Sequence, residues 1–572
     1  MMVGKRDYAV DRRLLMISAL ALLIGAISTL AAKLLISLID LATNLFFYQR
    51  LSLENLSPAQ NSLGLWVILI PVVGGLIVGL MARYGSEKIR GHGIPEAIEA
   101  ILFVKSRMSP KVAVLKPLSS AVVIGSGGPF GAEGPIIMTG GSLASLLGQY
   151  LHLNAIERKT LLVAGASAGM TAIFGTPVAA VLLAVELLLF ELRPRSLVPV
   201  ALACAVAGFL RSYAFGDGPL MPLETAPAGP LALISCLIAG VVIGLLAVVV
   251  THLLHAIEKG FARLPLHWMW WPALGGLIIG IGGYFQPRAL GVGYDVIEDL
   301  LHANLTLTVI FALIAVKLTI WLFALASGTS GGVLAPLLMV GAGVGALLAH
   351  WLPGDSPQMW AMAGMAAMLG SALGSPLTAI VFAVGITHDA NGLLPDLLTT
   401  SVAWGITTLL LSRSIMTDKI TRRGQHIFRE YGVDPLERAW VEDVMEPQAV
   451  TFAPTLDVAA AKMRLTTLPQ LHHTFPVTEQ GRCIGMVDYR AIYQADDRLL
   501  LSEILRPVGQ HYLLASHTAR QAAMMMAENQ LTILPVLNSD DEQQLAGVIS
   551  SNDLLKPTLR NMEEELVRER LR

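Results

Sequence analysis

Apolar runs broken by short polar or Gly/Pro interruptions fill most of the first 412 residues, at 14–48, 64–83, 112–124, 135–151, 159–173, 176–192, 197–214, 229–256, 271–285, 307–326, 333–351, 357–373, 376–388 and 394–412. They predict membrane helices, yet several fall short of the roughly 20 residues a full crossing requires. Half-crossings are tolerated only where they are buried in protein or line an aqueous cavity. After Leu411 the pattern changes: Arg413, Lys419, Arg422, Arg423, Arg429 and Arg438 crowd a polar segment, expected to be cytoplasmic by the positive-inside tendency. From about residue 441 short strands and helices alternate (441–445, 458–463, 475–478, 483–487), and the same order recurs at 501–505, 519–524, 533–537 and 545–549. The stretch 562–571 reads as a charged, solvated helix.

Composition agrees with a membrane location. The 572 residues are 54% hydrophobic and 14% charged with a net charge of −2, and the mean hydropathy is +0.63. That is more apolar surface than a soluble chain of this length needs; no nucleic-acid partner is expected. Cys204, Cys236 and Cys483 are scattered without a CxxC, so packing is expected of them and neither a disulfide framework nor a metal site is. Lys5, Arg6, Arg12 and Arg13 precede the first apolar run without a small-residue cleavage site, which predicts a cytoplasmic start and a spanning helix. Both termini are then expected inside, in a cell (inner) membrane.

Chemistry concentrates in Gly125-Ser-Gly-Gly-Pro-Phe-Gly-Ala-Glu-Gly-Pro135, a glycine-rich break with a single acid, Glu133. Pro135 suits the first position of a helix, and the glycines let bare backbone approach a ligand. A helix start inside a membrane holds an anion through its amides without Lys or Arg. An acid at that spot is a tethered anion, able to occupy the site when charged and to leave it when protonated. Glu133 is therefore the candidate gate, competing for the amides of the half-helix that opens at Pro135.

The second half repeats the device in Ala326-Ser-Gly-Thr-Ser-Gly-Gly-Val-Leu-Ala-Pro336. Ser126 and Ser327, Gly127 and Gly328, Gly131 and Gly332, and Pro135 and Pro336 share one offset of 201, which maps Glu133 onto Leu334. A second pair, 165–177 and 364–376, shares an offset of 199. Such matches mean an internal duplication with broken helices at corresponding positions, as in transporters whose site lies at the repeat interface.

Four motif positions, Gly91-His-Gly-Ile-Pro-Glu96, Gly131-Ala-Glu-Gly-Pro135, Gly332-Val-Leu-Ala-Pro336 and Ser414-Ile-Met-Thr-Asp-Lys419, carry a resemblance to the CLC family of chloride channels and chloride/proton antiporters over residues 15–425. The C-terminal module resembles a tandem pair of cystathionine-β-synthase-type (CBS) domains. The fold implied is an all-α polytopic membrane protein with an inverted internal repeat and broken half-helices, followed by a soluble α/β CBS pair. The expected boundaries are 1–14 for a cytoplasmic start, 15–425 for the membrane domain with repeat halves about 64–215 and 229–412, and 426–440 for a linker. Residues 441–500 and 501–560 are the expected CBS domains, and 561–572 a C-terminal helix. The resemblance implies a homodimer with an anion pathway in each subunit. Its anion-binding positions fall on His92, Gly93, Ile94, Pro95, Gly131, Gly134, Val333, Leu334 and Met416.

Departures from the family pattern shape the expectation. His92 stands where relatives often have Ser, Leu334 where they have Phe, and Met416 where an inner Tyr hydroxyl usually meets the anion. Two hydroxyl donors are thereby missing, leaving backbone amides near Ile94, Val333 and Leu334 to hold chloride. His92 either supplies an N–H to the pathway or turns into the protein against a carbonyl. The inner proton-handling Glu of family antiporters falls on Leu187, which carries no proton. Glu186 and Glu191 are the nearby candidates for a proton path, set against a structural role for Glu186 and a membrane-surface position for Glu191.

Other polar residues suggest ordinary roles. His252 and His255 lack a third metal ligand and fit an interfacial helix end; His472 and His473 fit a solvent-facing position. Lys317, Asp295 and Glu298 fit membrane edges or loops, by snorkelling or solvent exposure. In the CBS pair, Gly547-Val-Ile-Ser-Ser-Asn-Asp553 resembles a pattern in which Ser550 meets a phosphate and Asp553 a ribose, while the first repeat has Asp488 and Ala491 there. An adenine nucleotide and a ligand-free dimerising scaffold both fit. No zinc-binding His-Glu-x-x-His occurs, no Gly-x-x-x-x-Gly-Lys-Ser/Thr occurs, and no midplane carboxylate pair faces a cation, so a membrane protease, a nucleotide-driven pump and a cation transporter fit poorly. The expectation is a non-enzyme with no required cofactor: a pH-gated chloride pathway, passive or loosely coupled to protons, with strict chloride/proton antiport as the alternative.

Overall fold

The computed structural model describes residues 12–354, 356–425, 427, 435–467, 473–509, 511–538, 543–557, 559 and 568–569. The chain forms two compact units, Met1–Tyr431 with Arg568–Arg572 and, separately, Gly432–Val567. The first unit begins with α1 (Arg13–Tyr48), α2 (Leu69–Tyr84), α3 (Ile94–Phe103), α4 (Pro110–Gly125), α5 (Glu133–Tyr150), strand β1 (Leu153–Asn154), α6 (Ala155–Phe174), α7 (Pro177–Leu183) and α8 (Pro194–Phe215). It continues with α9 (Pro230–Ala262), α10 (Trp271–Phe285), α11 (Tyr294–Leu301), α12 (Leu307–Ala326), α13 (Leu334–Leu348), α14 (Pro357–Leu373), α15 (Pro376–Thr387), α16 (Leu393–Leu410) and α17 (Asp418–Thr421). Among the described residues, six helical segments are long and apolar enough to cross a membrane: Arg13–Tyr48, Gly64–Tyr84, Pro194–Phe215, Pro230–Ala262, Leu307–Ala326 and Ala390–Leu410. Helices α13 and α15 are apolar but shorter.

Each apolar run of the sequence became a helix, with Pro starts and Gly ends where the chain breaks. Helices α7, α14 and α15 open on Pro, whose missing N–H costs nothing at a helix start. Helices α6 and α14 end on the counterparts Gly175 and Gly374, both left-handed at φ 71° and 69°. The apolar runs missed α3 and α11, which are short and carry acids on one face.

The duplication is built into the packing. A Cβ on Gly75 of α2 would lie 2.3 Å from the Pro272 carbonyl oxygen, and one on Gly276 of α10 would lie 2.3 Å from that of Pro71. Likewise Gly140 meets the carbonyl of Gly165, and Gly341 that of Gly364. Only residues without side chains bring helix backbones this close.

Lys317 corrects the expectation of a snorkelling side chain. It is fully buried, and its Nζ donates to the carbonyls of Ala289 (3.0 Å) and Gly291 (2.8 Å), just before α11. Its repeat counterpart Lys116 is equally buried and donates to Ile89 (2.9 Å) and Gly91 (2.7 Å), just before α3. Each amine thus satisfies carbonyls that a helix break would otherwise leave unpaired. Asp295 and Glu298 are exposed, as expected.

The second unit contains α18 (Pro435–Arg438), α19 (Val441–Val444), α20 (Val458–Thr467), β2 (Thr474–Glu479), β3 (Arg482–Asp488), α21 (Tyr489–Gln494), α22 (Leu501–Ile504), β4 (Arg506–Pro507), β5 (Leu513–Leu514), α23 (Ala519–Asn529), β6 (Ile533–Leu537) and β7 (Leu545–Ser550). Its two sheets run β2-β3-β4 and β5-β6-β7, with β5 parallel to β6 and the other pairs antiparallel. The repeats exchange their leading segments. Val441 and Val444 pack with Leu513, Ala519 and Val536 of the second repeat, whereas Leu501 packs with Val458, Phe475 and Val487 of the first. Each repeat's leading segment therefore completes the core of the other. Cys483 lies between the sheets beside Val508 and Val548, and burial pushes its thiol up to about 11, as suits a packing cysteine.

The expected helix over 561–572 lies largely outside the described residues. Its described part, β8 (Arg568–Glu569), is extended and pairs antiparallel with β1. His472 and Arg429 also lie outside the described residues, as do Lys5 and Arg6.

Candidate functional site

Glu133 opens α5 and is completely buried. Its Oε1 accepts a hydrogen bond from the backbone N–H of Leu334, the first residue of α13, and its own N–H and that of Ala335 also face the carboxylate. The acid therefore sits where the N-termini of two half-helices converge, each with unpaired amides and partial positive charge. Sequence reasoning placed it on the amides of its own helix at Pro135. The structure adds the facing helix: the carboxylate accepts from the Leu334 N–H of α13 as well as facing its own N–H at the start of α5.

Glycines make the room. Gly131 and Gly332 pair antiparallel, with Gly332 N–H donating to the Gly131 carbonyl at 3.0 Å and the reverse bond at 3.4 Å. A Cβ on Gly131 would lie 1.8 Å from Glu133 Oε2, and one on Gly332 would lie 2.3 Å from Oε1. Gly134 lets α5 pass over α3, since a Cβ there would lie 2.1 Å from the His92 carbonyl oxygen and 3.2 Å from Gly332 Cα.

On the α3 side, Gly93 takes φ 88°, and His92, Ile94 and Pro95 are all buried. His92 Nδ1 is buried without a hydrogen-bond partner, so a carbonyl does not satisfy that nitrogen. Met416 is fully buried just before α17, and α17 is tied to α3 by Lys419, whose Nζ lies 2.6 Å from Glu96 Oε1. Gly131, Gly332 and the Leu334 amide thus enclose the carboxylate, and the His92 carbonyl lies against Gly134 one residue on. The missed contributors are Lys116 and Lys317, whose signal was present in their shared offset of 201.

The acids after α7 bond to residues outside this cluster. Glu186 lies in a π-helical turn, Ala184–Leu189, and accepts from Leu377 N (3.2 Å), Thr378 N (2.8 Å) and Thr378 Oγ1 (2.7 Å). It caps α15. Glu191 is half-buried and accepts from Ser196 Oγ at 2.6 Å, with Arg193 at 3.9 Å. Leu187 is buried and apolar.

In the second unit Asp553 Oδ2 accepts from both the N–H and the Oγ of Ser550 at 2.7 Å, and Lys556 lies 2.6 Å from Oδ1. The two candidate nucleotide contacts are joined to each other. Burial pushes the Asp553 carboxyl up, but the Lys556 and Ser550 hydrogen bonds outweigh it and hold the group below its ordinary range. Asp488 caps α21 instead, accepting from Arg490 N at 2.7 Å. Among the described residues no cluster of three His, Cys, Asp or Glu could hold a metal.

A duplicated membrane domain with half-helix N-termini meeting around an acid defines an anion-transport fold, and the voltage gated chloride channel family model matches residues 74–408. The chain belongs to that family, the CLC family, and is an integral membrane protein with a CBS pair matched at 441–497 and 507–558. It is 31% identical over 382 residues to the voltage-gated ClC-type chloride channel ClcB of Escherichia coli O81 (strain ED1a), covering 64% of this chain and 88% of that protein. In fold it is similar to a slow cyanobacterial Cl−/H+ antiporter (TM-score 0.65, 22% identity, 73% of this chain and 99% of the other). It is likewise similar to a eukaryotic CLC transporter (TM-score 0.62, 17% identity, 94% and 98%).

Proposed function

We propose that this protein carries chloride across a cell membrane through a pathway gated by Glu133, opened by acid, and passive or only loosely coupled to protons. The observation that carries the reading is the Glu133 carboxylate on the Leu334 amide: a permeating anion and the acid compete for one set of helix-start donors. Protonation neutralises the acid and frees the donors. Leu187 and the engagement of Glu186 as a helix cap support weak proton coupling. Strict exchange is the second reading, because the cyanobacterial neighbour is described as a Cl−/H+ antiporter and Glu191, a candidate for the proton path, is half-buried. Flux into liposomes under crossed chloride and proton gradients separates the two: uphill proton movement on a chloride gradient means exchange.

The same reading includes a homodimer with one pathway per subunit, both termini cytoplasmic, and an inner-membrane location in a bacterial cell. The CBS pair is proposed to bind an adenine nucleotide at Ser550 and Asp553, which requires the Ser550–Asp553 hydrogen bonds to open for the ligand. Calorimetry of the full-length protein with ATP, ADP and AMP tests this, and three flat titrations contradict it.

A further inference from the structure

Tyr294 begins α11 directly after Gly293 at φ 78°, as Ile94 begins α3 after Gly93 at φ 88°. Lys317 holds the carbonyl of Gly291 as Lys116 holds that of Gly91, so the two positions are counterparts in the duplicated fold. They differ in chemistry. Where Ile94 offers only its backbone, Tyr294 adds a phenol. The ring packs edge-on against Phe174 at 6.2 Å between centroids, and Phe174 in turn packs edge-on against Phe382 at 5.0 Å. This aromatic support fixes the ring direction.

The hydroxyl oxygen of Tyr294 is buried without a hydrogen-bond partner, and it lies within electrostatic range of Glu133. Glu133 Oε2 is buried without a partner as well. A hydroxyl buried and unpaired is unfavourable, which points to a partner that comes and goes. On the α3 side of Glu133, His92 and Met416 stand at the two positions where relatives often carry a hydroxyl, and neither has one. On the α11 side the chain presents one.

We propose that the Tyr294 hydroxyl is an anion-binding donor of the transport pathway, contacting a halide or similar monovalent anion on the α11 side of Glu133. This rests on the reading of Glu133 as the competitor of the permeating anion. When the acid leaves the Leu334 amide, the entering anion receives that amide and the phenol O–H together. The counterpart position at Ile94 supplies no such donor, so the two faces of the gate bind anions unequally.

The test is chloride titration of the purified full-length protein by calorimetry in the Glu133→Gln background, with and without Tyr294→Phe. Loss of one hydrogen bond to a charged group is expected to weaken chloride binding about tenfold, with the melting temperature unchanged or raised because an unpaired hydroxyl is removed. Replacing Tyr294 by 3-fluorotyrosine keeps the ring and acidifies the donor, and is expected to tighten binding. Should Tyr294→Phe fail to fold, the fluorinated protein decides alone. Unchanged chloride affinity in either substitution overturns the proposal. Acid dependence of flux in Glu133→Gln alone judges the gate separately, so loss of that dependence with no effect at Tyr294 rejects only the inference made here.

Discussion

Glu133 and Leu334 are repeat counterparts, 201 positions apart, and they are joined by a hydrogen bond from the Leu334 N–H to the Glu133 carboxylate. The duplication therefore places an acid in one half opposite an unpaired helix-start amide in the other. Both halves supply a helix N-terminus, but only one supplies the tethered anion. In the proposed function, that asymmetry is what would make an anion site into a gate.

If the glycine clasp exists to seat the carboxylate, filling it displaces the acid. The three atoms nearest a Cβ on Gly131 all belong to the Glu133 carboxyl group, so Gly131→Ala is expected to raise chloride efflux from liposomes at neutral pH. Efflux equal to wild type would show that the acid does not block the path from this position.

Lys116→Met and Lys317→Met each leave two loop carbonyls without their Nζ donor. An unsatisfied buried group costs about 1–3 kcal/mol, so both substitutions should lower the apparent melting temperature, by similar amounts because the environments correspond. A large loss at one site and none at the other would contradict the equivalence.

Glu186→Ala removes the acceptor that caps α15. Loss of a cap costs roughly 1 kcal/mol, so stability should fall while proton movement under a chloride gradient stays as in wild type. The opposite pattern, intact stability with altered proton movement, would make Glu186 a proton carrier.

Asp553 has a carboxyl held below its ordinary range, so it contributes stability above the unfolded-state value of about 4, and that contribution is lost as pH falls through the lower folded-state value. Asp553→Asn should accordingly reduce thermal stability at neutral pH and match wild type in strong acid. A difference that grows on acidification would reverse the sign and reject the assignment.

Much of this was legible in the sequence because membrane helices announce themselves by continuous apolar runs: 307–326 and 357–373 coincide with α12 and α14. Half-helix starts were legible through Gly and Pro, and the duplication through its offset. What escaped notice depends on distant parts of the chain. Lys317 reads as an edge residue until the loop carbonyls before α11 are seen to need it. The direction taken by Glu133 depends on α13, and the exchange of leading segments between the CBS repeats depends on packing that periodicity does not encode. Helices α3 and α11 are too short and too mixed in character to stand out.

The central claim is that the charged Glu133 side chain closes the anion pathway. Chloride efflux from liposomes, measured across external pH for wild type and Glu133→Gln, tests it most directly. The account predicts efflux that rises with acid in wild type and a high, pH-independent efflux in Glu133→Gln. A Glu133→Gln protein that keeps the wild-type pH dependence would contradict it.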